Sequence, residues 1–134
     1  MTEAKKTGRA RTAVYWVSTG LVAFAMLAGG VMDLIGGEEI AASMAQLGYP
    51  AYFALILGVW KLGGAVVIAA PRLRLVKEWA YAGIFFDLSG AAASHAAVGD
   101  EAAKIITPLV LLVLTCVSWT LRPSTRRLAG ARLS

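Results

Sequence analysis

The sequence predicts an all-α fold, a transmembrane four-helix bundle with a short interfacial helix between helices 1 and 2. Three observations point there. The 134-residue chain is 58% hydrophobic and only 16% charged, with a mean hydropathy of +0.68. Soluble domains run about 45–50% apolar, glycine included, and about 25% charged, and a chain this short has too little interior to hide such a surplus. Four apolar stretches of bilayer length divide it, and its lysines and arginines fall on alternate connections. Together these features exclude a disordered chain, a disulfide scaffold and an ordinary water-soluble enzyme.

Residues 1–13 form a basic tail with Lys5, Lys6, Arg9 and Arg11. The membrane domain follows over 14–122, with spans at 14–35, 52–70, 78–98 and 105–121, and a second basic tail covers 123–134. At 1.5 Å per residue the spans measure roughly 26–33 Å, against a hydrocarbon core of ~30 Å. None alternates polar and apolar residues as a barrel strand does. Between the first two spans, Glu38 and Glu39 suit a helix start. Ile40, Met44 and Leu47 then recur at helical spacing, with Gly48 as a stop and Pro50 beyond it. That pattern predicts an amphipathic helix on the outer interface, with a plain connector as the alternative. A cleaved leader is the other reading of the N-terminus; the apolar run is longer than a 7–15-residue signal core and no A-x-A site closes it.

If four helices alternate, eleven of the thirteen cations share one side: the four of the first tail, Arg72, Arg74 and Lys77, and Arg122, Arg126, Arg127 and Arg132. The other side receives Lys104 among Glu38, Glu39, Asp100 and Glu101. This asymmetry predicts a multi-pass protein of a bacterial inner membrane with both termini cytoplasmic. Trp16, Trp79 and Trp119 at one level, and Tyr49 and Tyr52 at the other, fit an aromatic belt. The net charge of +5 is thus a topology signal; the partner it implies is the lipid bilayer, not nucleic acid. Cys116 stands alone and forms no intrachain disulfide.

Ionisable residues inside spans are costly, about 2.5–3.5 kcal/mol at a helix centre, and so attract functional readings. Lys61 and Asp87 both fall near the midplane on sequence-adjacent antiparallel helices, which predicts a buried Lys61–Asp87 ion pair. Asp33 and His95 lie shallower, near the outer interface, where solvation alone accounts for them. Asp87, Ser94 and His95 share enough of one helix face to line a polar cleft open to the outside. Small residues beside them, Gly29, Gly30, Gly58, Gly63 and Gly64, permit close helix packing. The plainer account is that such groups only fix helix register. No Cys-x-x-Cys, bis-histidine pair, phosphate loop or metal-ligand set is present, so no cofactor is evident from the residues themselves.

The runs L-G-Y-P-A-Y-F (47–53), L-G-V-W-K-L-G-G-A (57–65), K-E-W-A-Y-A-G-I-F-F-D-L-S-G-A (77–91) and S-H-A-A-V-G-D (94–100) resemble the DoxX-like family of small bacterial membrane proteins. The resemblance extends over 15–123, and Lys61, Asp87, Ser94 and His95 fall on the polar positions of its pattern. It implies kinship with small membrane subunits associated with thiosulfate:quinone oxidoreductase, and hence a quinone as a cofactor to consider. The expected function is therefore a membrane protein holding a small apolar or quinone-like ligand near Lys61, Asp87, Ser94, His95 and Asp33. The alternative is a non-catalytic accessory subunit, in a homo-oligomer or packed against a larger membrane partner. A proton-coupled small-solute carrier is a third reading, for which neither inverted repeats nor broken helices are evident.

Overall fold

The computed structural model describes residues 2–128. Among them the chain is all-helical: α1 (Thr2–Ile35), α2 (Glu38–Leu47), α3 (Phe53–Ala69), α4 (Arg74–Ala97), α5 (Ala102–Thr120) and a closing 3-10 turn, Ser124–Arg126. Four of these helices coincide with the four apolar stretches to within a few residues, except that α1 and α4 start earlier. Helix α1 runs back through the basic tail because Glu3, Ala4, Lys5, Lys6, Arg9 and Ala10 are strong helix formers and no proline intervenes. Its 34 residues reach about 51 Å, so the exposed first turns project well past the other helices. Arg132 and the rest of 129–134, assigned above to the second tail, lie outside the described residues.

Helix α2 appears where the pattern placed it. Glu38 and Glu39 open it, and Gly48 closes it at φ 84°, a left-handed position that costs glycine nothing. From there Gly48 N–H and Tyr49 N–H bond back to Ala45 O and Met44 O. Two helices, α1 and α5, are long and apolar enough to cross a membrane. Helix α3 is apolar but runs 17 residues, and α4 carries Arg74, Lys77, Glu78 and Asp87.

The four long helices pack in sequence around a shared core: α1 against α3 and α5, and α4 against α3 and α5. Val22, Met26, Ala65, Ile68, Tyr81, Ile84 and Leu88 fill its centre. Toward the end that carries the basic residues, a buried hydroxyl cluster joins α1, α4 and α5. Thr19 and Ser118 lie 2.5 Å apart, and Tyr81 Oη lies 2.7 Å from the same Ser118 Oγ. In an apolar interior these hydroxyls satisfy one another, which fixes the rotation of three helices at once.

The closest approach is between α1 and α3. A Cβ on Gly58 would meet Gly30 O at 2.9 Å and Leu34 Cγ at 2.8 Å; one on Gly30 would meet Gly58 O at 3.0 Å. Backbone thus rests on backbone, and even if the Leu34 side chain moved, the carbonyls of Gly30 and Gly58 would remain in the way. Gly58→Val is expected to lower stability by about 1–3 kcal/mol, the usual cost of overpacking. Thermal unfolding of the detergent-solubilised protein followed by circular dichroism checks this, with Gly63→Val as the control because nothing lies within 4 Å of Gly63.

Candidate functional site

The crossing of Gly30 and Gly58 sets the level of the charged residues. Asp33 lies three residues toward the α2 end on α1, and Lys61 three residues the other way on α3, each about 4.5 Å off by helical rise. The Lys61 stem runs past Gly29, with Cδ and Nζ both 3.8 Å from where a Gly29 Cβ would stand. Its ammonium then donates to Asp33 Oδ2 at 2.8 Å. The pair is well shielded, with the Lys61 side chain 20% and the Asp33 side chain 10% exposed.

This corrects the pairing expected from depth alone. Lys61 bonds Asp33, not Asp87. Depth arithmetic located backbone positions, whereas a lysine carries its charge at the end of a long flexible stem, which here runs past Gly29 to Asp33. The glycine contact brings α1 closer to Lys61 than α4 comes. Asp33 is therefore a buried, paired carboxylate and not one merely solvated at an interface.

Asp87 is half-buried on α4, and among the described residues no hydrogen bond or ion pair reaches it. It shares a cavity of about 430 Å³ with Lys61, set between α3 and α4. Leu57, Trp60, Val67, Val76, Trp79 and Ile84 supply most of the wall. Gly63 and Gly83 both line the space with nothing within 4 Å of where a Cβ would stand, so their missing side chains are part of the reason it is open. Trp60 is 72% and Trp79 66% exposed, so the walls they form continue onto the outer surface of the helices. An apolar chamber with one ammonium and one carboxylate suits a mostly apolar molecule held by one or two polar atoms.

Ser94 and His95 stand elsewhere. Ser94 Oγ lies 2.7 Å from Tyr49 Oη, clipping the chain before α3 to the end of α4. His95 Nδ1 donates to Asp100 Oδ2 at 2.8 Å, and Lys104 Nζ lies 3.6 Å from Asp100 Oδ1. The His95 bond, aided by Glu101 N–H and Lys104, holds the Asp100 carboxyl below the usual carboxylate range. The expected single cleft of Asp87, Ser94 and His95 is thus two separate places. Asp87 lines the α3–α4 cavity, while Ser94 and His95 brace the turns at the α2 end. The helical angle between Asp87 and His95 was compatible with one cleft, but two turns of rise separate the residues and local partners take up Ser94 and His95.

Sequence reasoning missed the cavity walls Trp60 and Trp79. The signal was there: Trp60 precedes Lys61 at mid-depth, where an aromatic belt does not reach, and glycines follow at 63 and 64.

A family model described as the DoxX-like family matches residues 17–118. No curated protein and no solved structure matches the chain.

Proposed function

The chain belongs to the DoxX-like family, and from that premise we propose a multi-pass bacterial inner-membrane protein that holds a small apolar, quinone-like ligand between α3 and α4. In this reading α1, α3, α4 and α5 form a transmembrane four-helix bundle, with α2 on the outer interface and both termini cytoplasmic. The placement of charge supports the topology. Arg72, Arg74, Lys77, Arg122, Arg126 and Arg127 gather at one end of the bundle, the side that positive residues mark as cytoplasmic. Lateral surfaces rich in Phe24, Val59, Trp60, Phe86 and Val113, all more than 60% exposed, need lipid and not water around them.

The observation that carries the ligand reading is the α3–α4 cavity, apolar on nearly all sides yet ending on Lys61 and Asp87. Lys61, paired with Asp33, donates an N–H to a ligand carbonyl. Asp87 accepts from a ligand hydroxyl. The two together suit a ring that carries oxygen substituents, and the open lateral wall lets an apolar tail remain among lipid.

Trp60 and Trp79 provide the assay. A short-chain benzoquinone titrated into the purified protein is expected to quench tryptophan emission saturably. Gly83→Leu, which places an isobutyl group in open space, is expected to weaken that binding at least about tenfold while leaving the helical content and unfolding temperature near wild type. Equal binding by wild type and Gly83→Leu would remove the cavity from consideration.

One observation favours a second reading, that of an accessory subunit. Only 11% of the most apolar stretch of α5 is buried, and a groove of about 430 Å³ between α4 and α5 runs past Phe85, Val113, Cys116 and Val117. A larger membrane partner, or a second copy, would cover this face. Crosslinking in native membranes distinguishes the cases, since a reproducible partner through Val113 or Cys116 supports the subunit reading.

A further inference from the structure

Asp33 stands between two cavities. Its partner Lys61 lines the α3–α4 cavity, while Asp33 itself lines a second one of about 370 Å³ at the α2 end, between Gly36, Ile40, Ala51 and Tyr52. Asp87, on α4, lines the first cavity together with Lys61. Three ionisable groups therefore form a file from the centre of the bundle to one of its ends. We infer that Asp87, Lys61 and Asp33 form a proton path joining the α3–α4 cavity to the aqueous phase at the α2 end.

The charge count supports this assignment. Lys61 neutralises Asp33, which leaves Asp87 without a counter-ion in an apolar chamber. A carboxyl with no bonded partner, in the same cavity as the Lys61 side chain, is placed to take up a proton and to give it back. The path to the α2 end then works without any further reactant. The Lys61 ammonium passes a proton to the Asp33 carboxylate, and the resulting acid releases it to water in the second cavity. The neutral Lys61 amine regains a proton from Asp87. The net transfer is one proton from Asp87 to the α2-side water, and the reverse order loads Asp87. Buried ionic and neutral forms of such a pair differ little in free energy, because desolvation offsets most of the Coulomb attraction. Lysine's flexible stem can move its ammonium from Asp33 toward the cavity side.

The path leads one way only. Toward the basic end the cavity continues through Met26, Val67, Val76 and Ile84, none of which carries a proton. The hydroxyl cluster of Thr19, Tyr81 and Ser118 bonds within itself and to none of the three charged groups. Among the described residues, the titratable groups that line the two cavities are Asp33 from α1, Lys61 from α3 and Asp87 from α4, with the Tyr52 phenol just before α3 in the wall of the second. Helix α5 adds Cys116 alone along its apolar length, in the groove on its other face. Glu38 and Glu39 open α2 without lining the second cavity.

The inference rests on the membrane insertion proposed above and is independent of the ligand. The test uses the full chain in right-side-out and inverted membrane vesicles. Dicyclohexylcarbodiimide, which enters lipid and attacks protonated carboxyls, is applied for minutes, and labelling at Asp87 is read by peptide mass spectrometry. Lowering the pH by one unit on the α2 side is expected to raise Asp87 labelling several-fold, and up to about tenfold. The same step on the basic side is expected to change it less than about twofold. In Asp33→Asn the α2-side response should vanish, and in Asp33→Glu it should persist. Labelling that follows the basic side, follows both sides equally, or survives Asp33→Asn unchanged overturns the path. The wild-type sidedness decides the matter even if a variant fails to fold. Failure of quinone quenching, by contrast, removes only the ligand reading.

Discussion

Lys61→Met is expected to cost about 3–5 kcal/mol of stability, the usual penalty for stranding one member of a buried ion pair. Methionine keeps the apolar stem and removes the ammonium, so packing against Gly29 and Gly30 survives while Asp33 loses its partner. Asp33 is 7% exposed and lies three residues from the Gly30–Gly58 contact, so its carboxylate, although it borders the second cavity, is largely desolvated. For a chain of this size the loss corresponds to a fall of about 10–20 °C in the unfolding midpoint. Adding Asp33→Asn is expected to restore most of the loss, since a buried pair replaced by neutral groups is often nearly neutral in stability. Adding Asp87→Asn to Lys61→Met is expected to restore far less, because Asp87 borders a cavity and is not the lysine's direct partner. Thermal melts of wild type, the three single variants and the two double variants in one detergent form the two cycles that isolate the couplings. Rescue by Asp87→Asn without rescue by Asp33→Asn would assign the lysine to α4 instead of α1.

The number and order of the helices were legible because they depend on apolar runs and on punctuation by Gly36, Gly48 and Pro50, whereas the start of α1, set by helix formers in the basic tail, was not. The short helix α2 was legible for the same reason, since Glu38, Ile40, Met44, Leu47 and Gly48 each occupy the position their chemistry favours. The identity of the expensive residues was legible too, as insertion cost singles out Asp33, Lys61 and Asp87 whatever they touch. Their pairing was not. It depends on which helices approach most closely, and that is decided by Gly30 meeting Gly58, two glycines among fourteen with nothing local to mark them as partners. A depth along a helix axis also says little about a lysine ammonium, which lies a full side-chain length from its backbone. Helical angle and the family pattern both point to Ser94 and His95 as site residues, but neither reveals that Tyr49 and Asp100 hold their side chains.

The basic end illustrates what a topology rule conceals, and it supplies the second large effect. Counting cations for orientation treats Lys77, Arg122 and Arg126 as solvated loop charges, yet all three are structural. Lys77 is fully buried and donates to Arg72 O and Ala70 O, and Arg126 donates to Ile68 O and Ala70 O. Together they satisfy carbonyls that the end of α3 leaves without helical partners. Burial and the neighbouring Arg126 pull the Lys77 ammonium below its ordinary range. Arg122, 6% exposed, forms an ion pair with Glu78, donates to Trp119 O at 2.7 Å and lies over the Tyr81 and Trp119 rings, while Glu78 also accepts from Trp119 Nε1. This one arginine ties the start of α4 to the end of α5. Arg122→Ala is expected to cost about 3 kcal/mol, the lower end for a broken buried pair, because Glu78 keeps partial access to water. Arg122→Lys should recover only part of the loss, since an ammonium cannot reproduce the planar stacking on two aromatic rings. Neither change touches the cavity, so at temperatures where the variant remains folded its quinone quenching should match wild type. A variant that melts as wild type does would show that Arg122 contributes nothing to holding α4 against α5.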